Sequence, residues 1–279
     1  PVPPHLFPEA GAPAVRPAAW APGQREEAAD AVRRWGCAML RGAVAPEDIA
    51  ALREALGLGT GSGARRATEV GRWLLQKDPN VAMGRYTFGR LHCLLRGSPV
   101  FEPEAVAVHS AIAPLVHTFF KDFEAQGSQV FLSEAQLIVT EPLADAQAWH
   151  LDAAGGPGLS VFVPLAGMAA ARGAQEVLPG SHRLHDATVP VRERLRSCLA
   201  ALCATHGSVA AAPAGGPRQW GAGDALVLDG RLLHRGLAND SMAAPMAVLV
   251  LRYDLTESAW PGCSRRWLRM MTRVGALLE

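Results

Sequence analysis

The chain has 279 residues, 49% of them hydrophobic and 19% charged, which is enough for one large domain with a sizeable buried core. A net charge of +1 removes any electrostatic case for nucleic acid, and no apolar run reaches the roughly 18 residues of a membrane span. Five scattered cysteines (Cys37, Cys93, Cys198, Cys203, Cys263) without a CxxC pair argue against a disulfide framework or thiolate zinc site, and fit a reducing compartment, cytoplasmic or organellar.

Residues 1–24 form a Pro/Ala-rich extended lead-in without an initiator Met, compatible with a removed tag or targeting segment. Of the 27 basic residues only Lys77 and Lys121 are lysine, a bias that a GC-rich coding sequence explains as well as any function. REEAADAVRRWG reads as a helix with Ala28, Val32 and Trp35 on one face, followed by a short apolar strand, GCAMLRGAV. In APEDIAALREALGLG, Pro46 suits a first helical turn, and Glu47 and Asp48 suit the positive end of the helix dipole. Ile49, Leu52 and Leu56 give that helix its buried stripe, and Gly57 its stop. GLGTGSG lacks the lysine of a phosphate loop and reads as a connection. A further amphipathic helix runs from Glu104 to about Gln126, with Ile112, Leu115, Phe119 and Phe123 on its apolar side. The arginines of MGRYTFGRLH, Arg85 and Arg90, suit either a solvated basic strand, the simpler reading, or recognition of an anionic substrate.

The texture changes at residue 130. QVFLSEAQLIVTE, GLSVFVPLAG, QEVLPGSH, DALVLDGRLLHRG and MAVLVLRYD are β-type runs separated by Gly, Pro, Asp and Asn turns, as in a sandwich or barrel. A helical insertion, VRERLRSCLAALCATHG, interrupts them, and a basic amphipathic helix closes the chain over about 264–278. The expected architecture is mainly β with flanking helices. A single domain over 25–279 places an N-terminal helical layer on a jelly-roll core spanning about 130–255.

WHLD is the sharpest chemical signal. Residues two apart on a strand share a face, so His150 and Asp152 can both enter a barrel mouth. A histidine on another strand would complete two imidazoles and one carboxylate on one face of a metal, the open arrangement of non-haem Fe(II) oxygenases. His234, ending a later strand, supplies that candidate. The other histidines, among them His92 and His182, have no partner at ligand spacing and read as structural or exposed.

The succession WHLD, LSVFVPL, EVLPGSH and GDALVLDGRLLHRGLANDS resembles the phytanoyl-CoA dioxygenase family of Fe(II)/2-oxoglutarate oxygenases. WGCAMLRGAVAPEDIAALREAL looks like that family's usual opening, so the resemblance covers roughly residues 25–255. It implies a double-stranded β-helix in which His150, Asp152 and His234 hold catalytic Fe(II). It further implies 2-oxoglutarate and O2 as co-reactants, with a small-molecule substrate oxidised at a C–H bond. Halogenating relatives replace the carboxylate ligand by a small residue, so Asp152 favours hydroxylation or a related oxidation.

One position departs from the pattern. The family grips the far carboxylate of 2-oxoglutarate with an arginine about a dozen residues after the distal histidine, and here that place falls on Pro245 or Met246. A buried carboxylate facing methionine with no other donor would cost several kcal/mol. Another arginine could substitute. Arg252 shares the face of Met246 but lies six residues, roughly 20 Å, along the strand. Arg235 points to the opposite face, and Arg172, Arg90 or Arg85 would have to reach in from elsewhere. Alternatively, the pocket takes a different, less anionic cosubstrate, or the protein is a non-catalytic metal-binding homologue. Gln136, Ile138 and Thr140 share one strand face, and Gln136 and Thr140 suit either cosubstrate contacts or cross-strand pairing. Phe162 stands where relatives often place an aromatic lining the cosubstrate pocket. Asn239 and Ser241 read as turn-capping residues. No feature fixes an oligomeric state.

Overall fold

The computed structural model describes residues 19–21, 23–59, 66–84, 87–95, 98, 100–152, 157–169, 173–184, 219–242 and 245–255. The expected helices at 191–207 and about 264–278 lie outside the described residues, as do Arg85 and Arg172. In chain order the N-terminal part comprises β1 (Ala19–Trp20), α1 (Arg25–Trp35), β2 (Cys37–Leu40), α2 (Pro46–Ala55), α3 (Ala67–Lys77), β3 (Ala82–Gly84), β4 (Arg90–Leu94) and α4 (Glu102–Glu124). The barrel strands follow: β5 (Phe131–Thr140), β6 (Gly158–Pro164), β7 (Met168–Ala169), β8 (Gln175–Val177), β9 (Gln219–Trp220), β10 (Ala225–Asp229), β11 (His234–Gly236) and β12 (Met246–Asp254).

The main sheet has the order β1-β2-β10-β6-β12-β5-β4-β3, antiparallel except for the β1/β2 pair. Facing it are the two-stranded ladders β11-β8 and β7-β9, and a bridge between His150 and His234. This is a double-stranded β-helix, with its barrel strands between residues 131 and 254.

The main strands read as unbroken apolar runs because both faces are covered. Ala135, Leu137, Val139, Leu249 and Leu251 point toward the helices, where they join Val108, Ile112, Leu115 and Phe120 of α4. Ile138, Phe162, Val248 and Val250 point into the barrel. Full burial of each such side chain stabilises the fold by about 2 kcal/mol. Alternation along β5 therefore sorts residues between core and site, and Glu134, Gln136 and Thr140 fall on the site side.

α2 begins at Pro46 and buries Ile49, Leu52 and Leu56, as its sequence pattern predicts. α4 runs from Glu102 rather than Glu104, with Phe123 only partly buried. Two expectations change. Trp35 is not on the buried face of α1: it is 38% exposed and lies beneath the Arg34 guanidinium, while Ala29 and Ala31 pack inward instead. The N-terminal part is also more than a helical layer. β3 and β4 extend the main sheet beyond β5, and Arg90, expected as solvated, is only 2% exposed.

Candidate metal centre

His150 and His234 are paired across a single antiparallel bridge, His150 N–H donating to His234 O at 3.0 Å and His234 N–H to His150 O at 3.1 Å. Directly opposed residues in such a pair share a face, and the two rings lie 4.4 Å apart between centroids. Two residues after His150, the chain is tied again by Asp152 N–H to Gly230 O at 2.9 Å. The Asp152 carboxylate thus lies 3.4 Å from His234 Nε2 and 3.8 Å from His150 Nε2. One donor atom from each of the three residues falls within 4.8 Å of the others.

The protonation pattern suits a metal. Nδ1 of His150 donates to Ala148 O at 2.8 Å and Nδ1 of His234 to Leu232 O at 2.9 Å. That tautomer leaves each Nε2 lone pair facing the carboxylate, ready for a cation. Burial pushes the His234 pKa down to about 4 against the attraction of Asp152, keeping the ring neutral. Burial raises the Asp152 pKa, but His234, His150, Arg252 and the Ser160 hydrogen bond outweigh it, so the carboxyl stays below its usual range. Neutral imidazoles and an ionised carboxylate are the forms that bind a divalent ion. Two nitrogens and one oxygen on one face fit Fe(II) with further positions left open.

A cavity of about 350 Å³ opens from the triad, lined among others by Gln136, Ser160, Phe162, Gln175 and Arg252. Phe162 meets the His234 ring edge-on at 5.8 Å. Gln136 Oε1 is 3.2 Å from His92 Nδ1, and His92 also lines the cavity. Burial drives the His92 pKa down to about 4, so this histidine is neither exposed nor charged. Thr140 lies farther along β5 and accepts from Arg90 Nη1 at 3.1 Å.

Arg252 stands beside the candidate metal ligands. Its guanidinium is held by Asp254 at 2.8 and 2.9 Å and reaches the Ser160 hydroxyl at 3.5 Å. Burial lowers its pKa, but pairing with Asp254 and the nearby Asp152 and Glu134 raises it further. Arg235 faces outward, bound to Glu176 at 2.6 Å and stacked over Trp149. Met246 is buried in the apolar barrel cluster. Asn239 caps its turn, accepting from Ser241 N–H at 3.2 Å and donating to Glu141 O at 3.0 Å.

Sequence reasoning missed Ser160, Glu134, Gln147 and Gln175, placed His92 outside the site, and named Arg90 among several arginines that could reach in without singling it out. The available signal was a polar residue inside an otherwise apolar strand: Ser160 in GLSVFVP, Glu134 in FLSEAQLIVT. His182 of the PGSH turn is structural, as expected, with Nε2 bonded to Arg33 O at 3.1 Å.

No curated protein sequence resembles the chain closely enough to count as a match. Solved structures with a similar fold include the epimerase SnoN of nogalamycin biosynthesis, in complex with Fe3+, alpha ketoglutarate and nogalamycin RO (21% identity, TM-score 0.61, 88% of this chain and 90% of that one). AviO1 from Streptomyces viridochromogenes Tue57 is similar at 21% identity and TM-score 0.59, over 86% of this chain and 98% of that one. EctD from S. alaskensis, with 2-oxoglutarate and 5-hydroxyectoine, is similar at 20% identity and TM-score 0.59, over 91% and 84%. Among the described residues no helix is long and apolar enough to cross a membrane. The family model for phytanoyl-CoA dioxygenase matches residues 32–245, from α1 through the distal histidine to the edge of β12, and the chain belongs to that family.

Proposed function

We propose that the protein is an Fe(II)- and 2-oxoglutarate-dependent oxygenase that oxidises a C–H bond of a small molecule. One observation carries the reading. Two imidazoles with Nδ1 committed to main-chain carbonyls and one ionised carboxylate converge at a cavity large enough for a small organic ligand. His150, Asp152 and His234 would hold the metal. Bound there, Fe(II) would supply the activation of O2, coupled to conversion of 2-oxoglutarate into succinate and CO2 and to hydroxylation or another oxidation of the substrate's C–H bond.

The chain's own residues set the conditions for that chemistry. Ser160 donates to Asp152 Oδ2 at 2.6 Å and holds the carboxylate toward the imidazoles. Phe162 and Val250 line the cavity with apolar surface, which limits the water that could divert the reaction. Gln136 offers an amide to the keto-acid or the substrate. The open cavity beside the triad favours turnover over a purely structural metal site.

A second reading, an iron oxygenase with a less anionic cosubstrate, is supported by buried Met246 in place of the usual arginine. An anaerobic titration of the Fe(II) protein with 2-oxoglutarate separates the two. A visible metal-to-ligand charge-transfer band that saturates, followed by succinate release on admitting O2, is expected. Iron binding without any band would overturn the 2-oxoglutarate reading.

A further inference from the structure

We infer that Arg90, reaching in from a strand that the N-terminal segment adds to the main sheet, holds the distal carboxylate of the cosubstrate in place of the arginine that Met246 has displaced. The inference rests on the 2-oxoglutarate reading above and names the residue that makes it physically possible.

The first support is register. Met246 is paired with Thr140 across β12 and β5, and Thr140 with Arg90 across β5 and β4. The three therefore stand in one row on the barrel face of the sheet, about 10 Å from end to end at ordinary strand spacing. An arginine side chain two strands away can reach the space that an arginine at Met246 would have filled.

The second support is charge. Arg90 is buried, and its partners are all neutral: Nε donates to Asp145 O at 3.2 Å, Nη1 to Thr140 Oγ1 at 3.1 Å, and Nη2 to Leu237 O. A guanidinium has five N–H groups, so these bonds leave two of them for a ligand. No carboxylate of a described residue lies within 4.0 Å of it, whereas Arg252, the other buried arginine of the site, is already neutralised by Asp254. A buried cation lacking a counter-ion is costly, and a ligand carboxylate removes that cost.

The third support is the shape of the cavity's inner end. Gly236 follows His234 by two residues on β11, on the same face and roughly 7 Å along the strand. A Cβ at Gly236 would stand 2.8 Å from Arg90 Nη1 and 2.6 Å from Gln147 Oε1, so the glycine makes room for the guanidinium beside Gln147, which itself lines the cavity. Gln175, opposite Gly236 in the β11/β8 ladder, lines the cavity and is 8% exposed, and its Oε1 has no hydrogen-bond partner. Turned over, that amide presents N–H groups to an anion. A ligand chelated at the triad and directed toward this end would pass Gln147 and Gln175, which line the cavity, with Arg90 packed behind Gly236.

The test compares 2-oxoglutarate with 2-oxovalerate, which has the same chain length and keto-acid end but no distal carboxylate. Both are titrated anaerobically into the Fe(II) protein, with Kd read from the charge-transfer band. The wild type is expected to prefer 2-oxoglutarate by at least 100-fold. Arg90→Gln, checked for folding by near-UV circular dichroism, is expected to lose most of that preference while binding 2-oxovalerate within threefold of wild type. Arg90→Gln/Met246→Arg returns a cation to the same row and is expected to recover 2-oxoglutarate binding to within tenfold. The double variant decides the matter should the single one not fold. Unchanged 2-oxoglutarate affinity in Arg90→Gln, equal wild-type binding of the two ligands, or a double variant that binds no better than the single would overturn the assignment of Arg90. A wild type that gives no band with either keto acid overturns the 2-oxoglutarate reading itself.

Discussion

The Ser160 hydroxyl donates from β6 to Asp152 Oδ2 at 2.6 Å, and Arg252 Nη1 backs it at 3.5 Å. Partners that orient a ligand carboxylate typically contribute 10- to 100-fold to metal affinity. Ser160→Ala is expected to weaken Fe(II) or Co(II) binding by about that factor, while the unfolding free energy falls by about 1 kcal/mol. Equilibrium dialysis of the metal against wild type and variant measures it. Equal affinities would show that the bridge between His150 and His234 orients the site without Ser160.

Acid should destabilise this fold earlier than carboxylate protonation alone predicts. His92 and His234 are buried with pKa values of about 4, against an ordinary 6.5 in the unfolded chain. Between pH 6.5 and about 4 the unfolded state therefore takes up protons that the folded state refuses, and stability falls with pH across that window. Urea unfolding of the metal-free protein at a series of pH values is expected to show a loss of a few kcal/mol from pH 7 to pH 4. His92→Gln should reduce the slope by about one proton. A flat profile down to pH 5 is incompatible with neutral buried imidazoles.

Much of the site is legible in the sequence because two of its three residues stand two positions apart in WHLD. WHLD brings His150 and Asp152 to one site, although it forms no strand and only His150 joins a pairing, its bridge to His234. His234, expected to end the apolar run of β10, instead opens β11 after a turn. What escaped depends on strand pairing. Arg90 sits in RLHCL, a run that could equally be a solvated edge, and only its register with Thr140 and Met246 brings it into the barrel. Gln175 is likewise unremarkable until β8 pairs with β11. Trp35 misled in the other direction. Helical periodicity predicts it inward, but α1 ends one residue later at Gly36, and the ring turns out under Arg34.

Gly36 is a structural pivot with a measurable consequence. Its φ of +82° closes α1, and an added Cβ would meet Leu232 Cδ1 at 2.5 Å and His182 Nδ1 at 2.7 Å. Its carbonyl accepts from Asp229 N–H at 2.8 Å, tying the helix end to the strand that leads toward His234. Gly36→Ala combines an unfavourable backbone conformation with overpacking, and is expected to cost about 3 kcal/mol. Chemical denaturation gives that difference directly. A cost below about 1 kcal/mol would mean that Leu232 and His182 yield more readily than their burial suggests.

Arg252 and Arg90 are both buried, yet removing them should give opposite phenotypes. Arg252 is clamped by Asp254 and flanked by Glu134 and Asp152, so its loss strands carboxylates in a low-dielectric mouth. Breaking one side of a buried ion pair costs about 3 to 5 kcal/mol. Arg252→Gln is therefore expected to lower stability by several kcal/mol and to weaken metal binding through the Ser160–Asp152 contact. The preference for 2-oxoglutarate over 2-oxovalerate should persist. Thermal unfolding together with the two keto-acid titrations measures all three quantities on one variant. If instead Arg252→Gln abolishes the preference and keeps the stability, the cosubstrate's carboxylate lies at the mouth beside Asp152, and the cavity is used in the reverse direction.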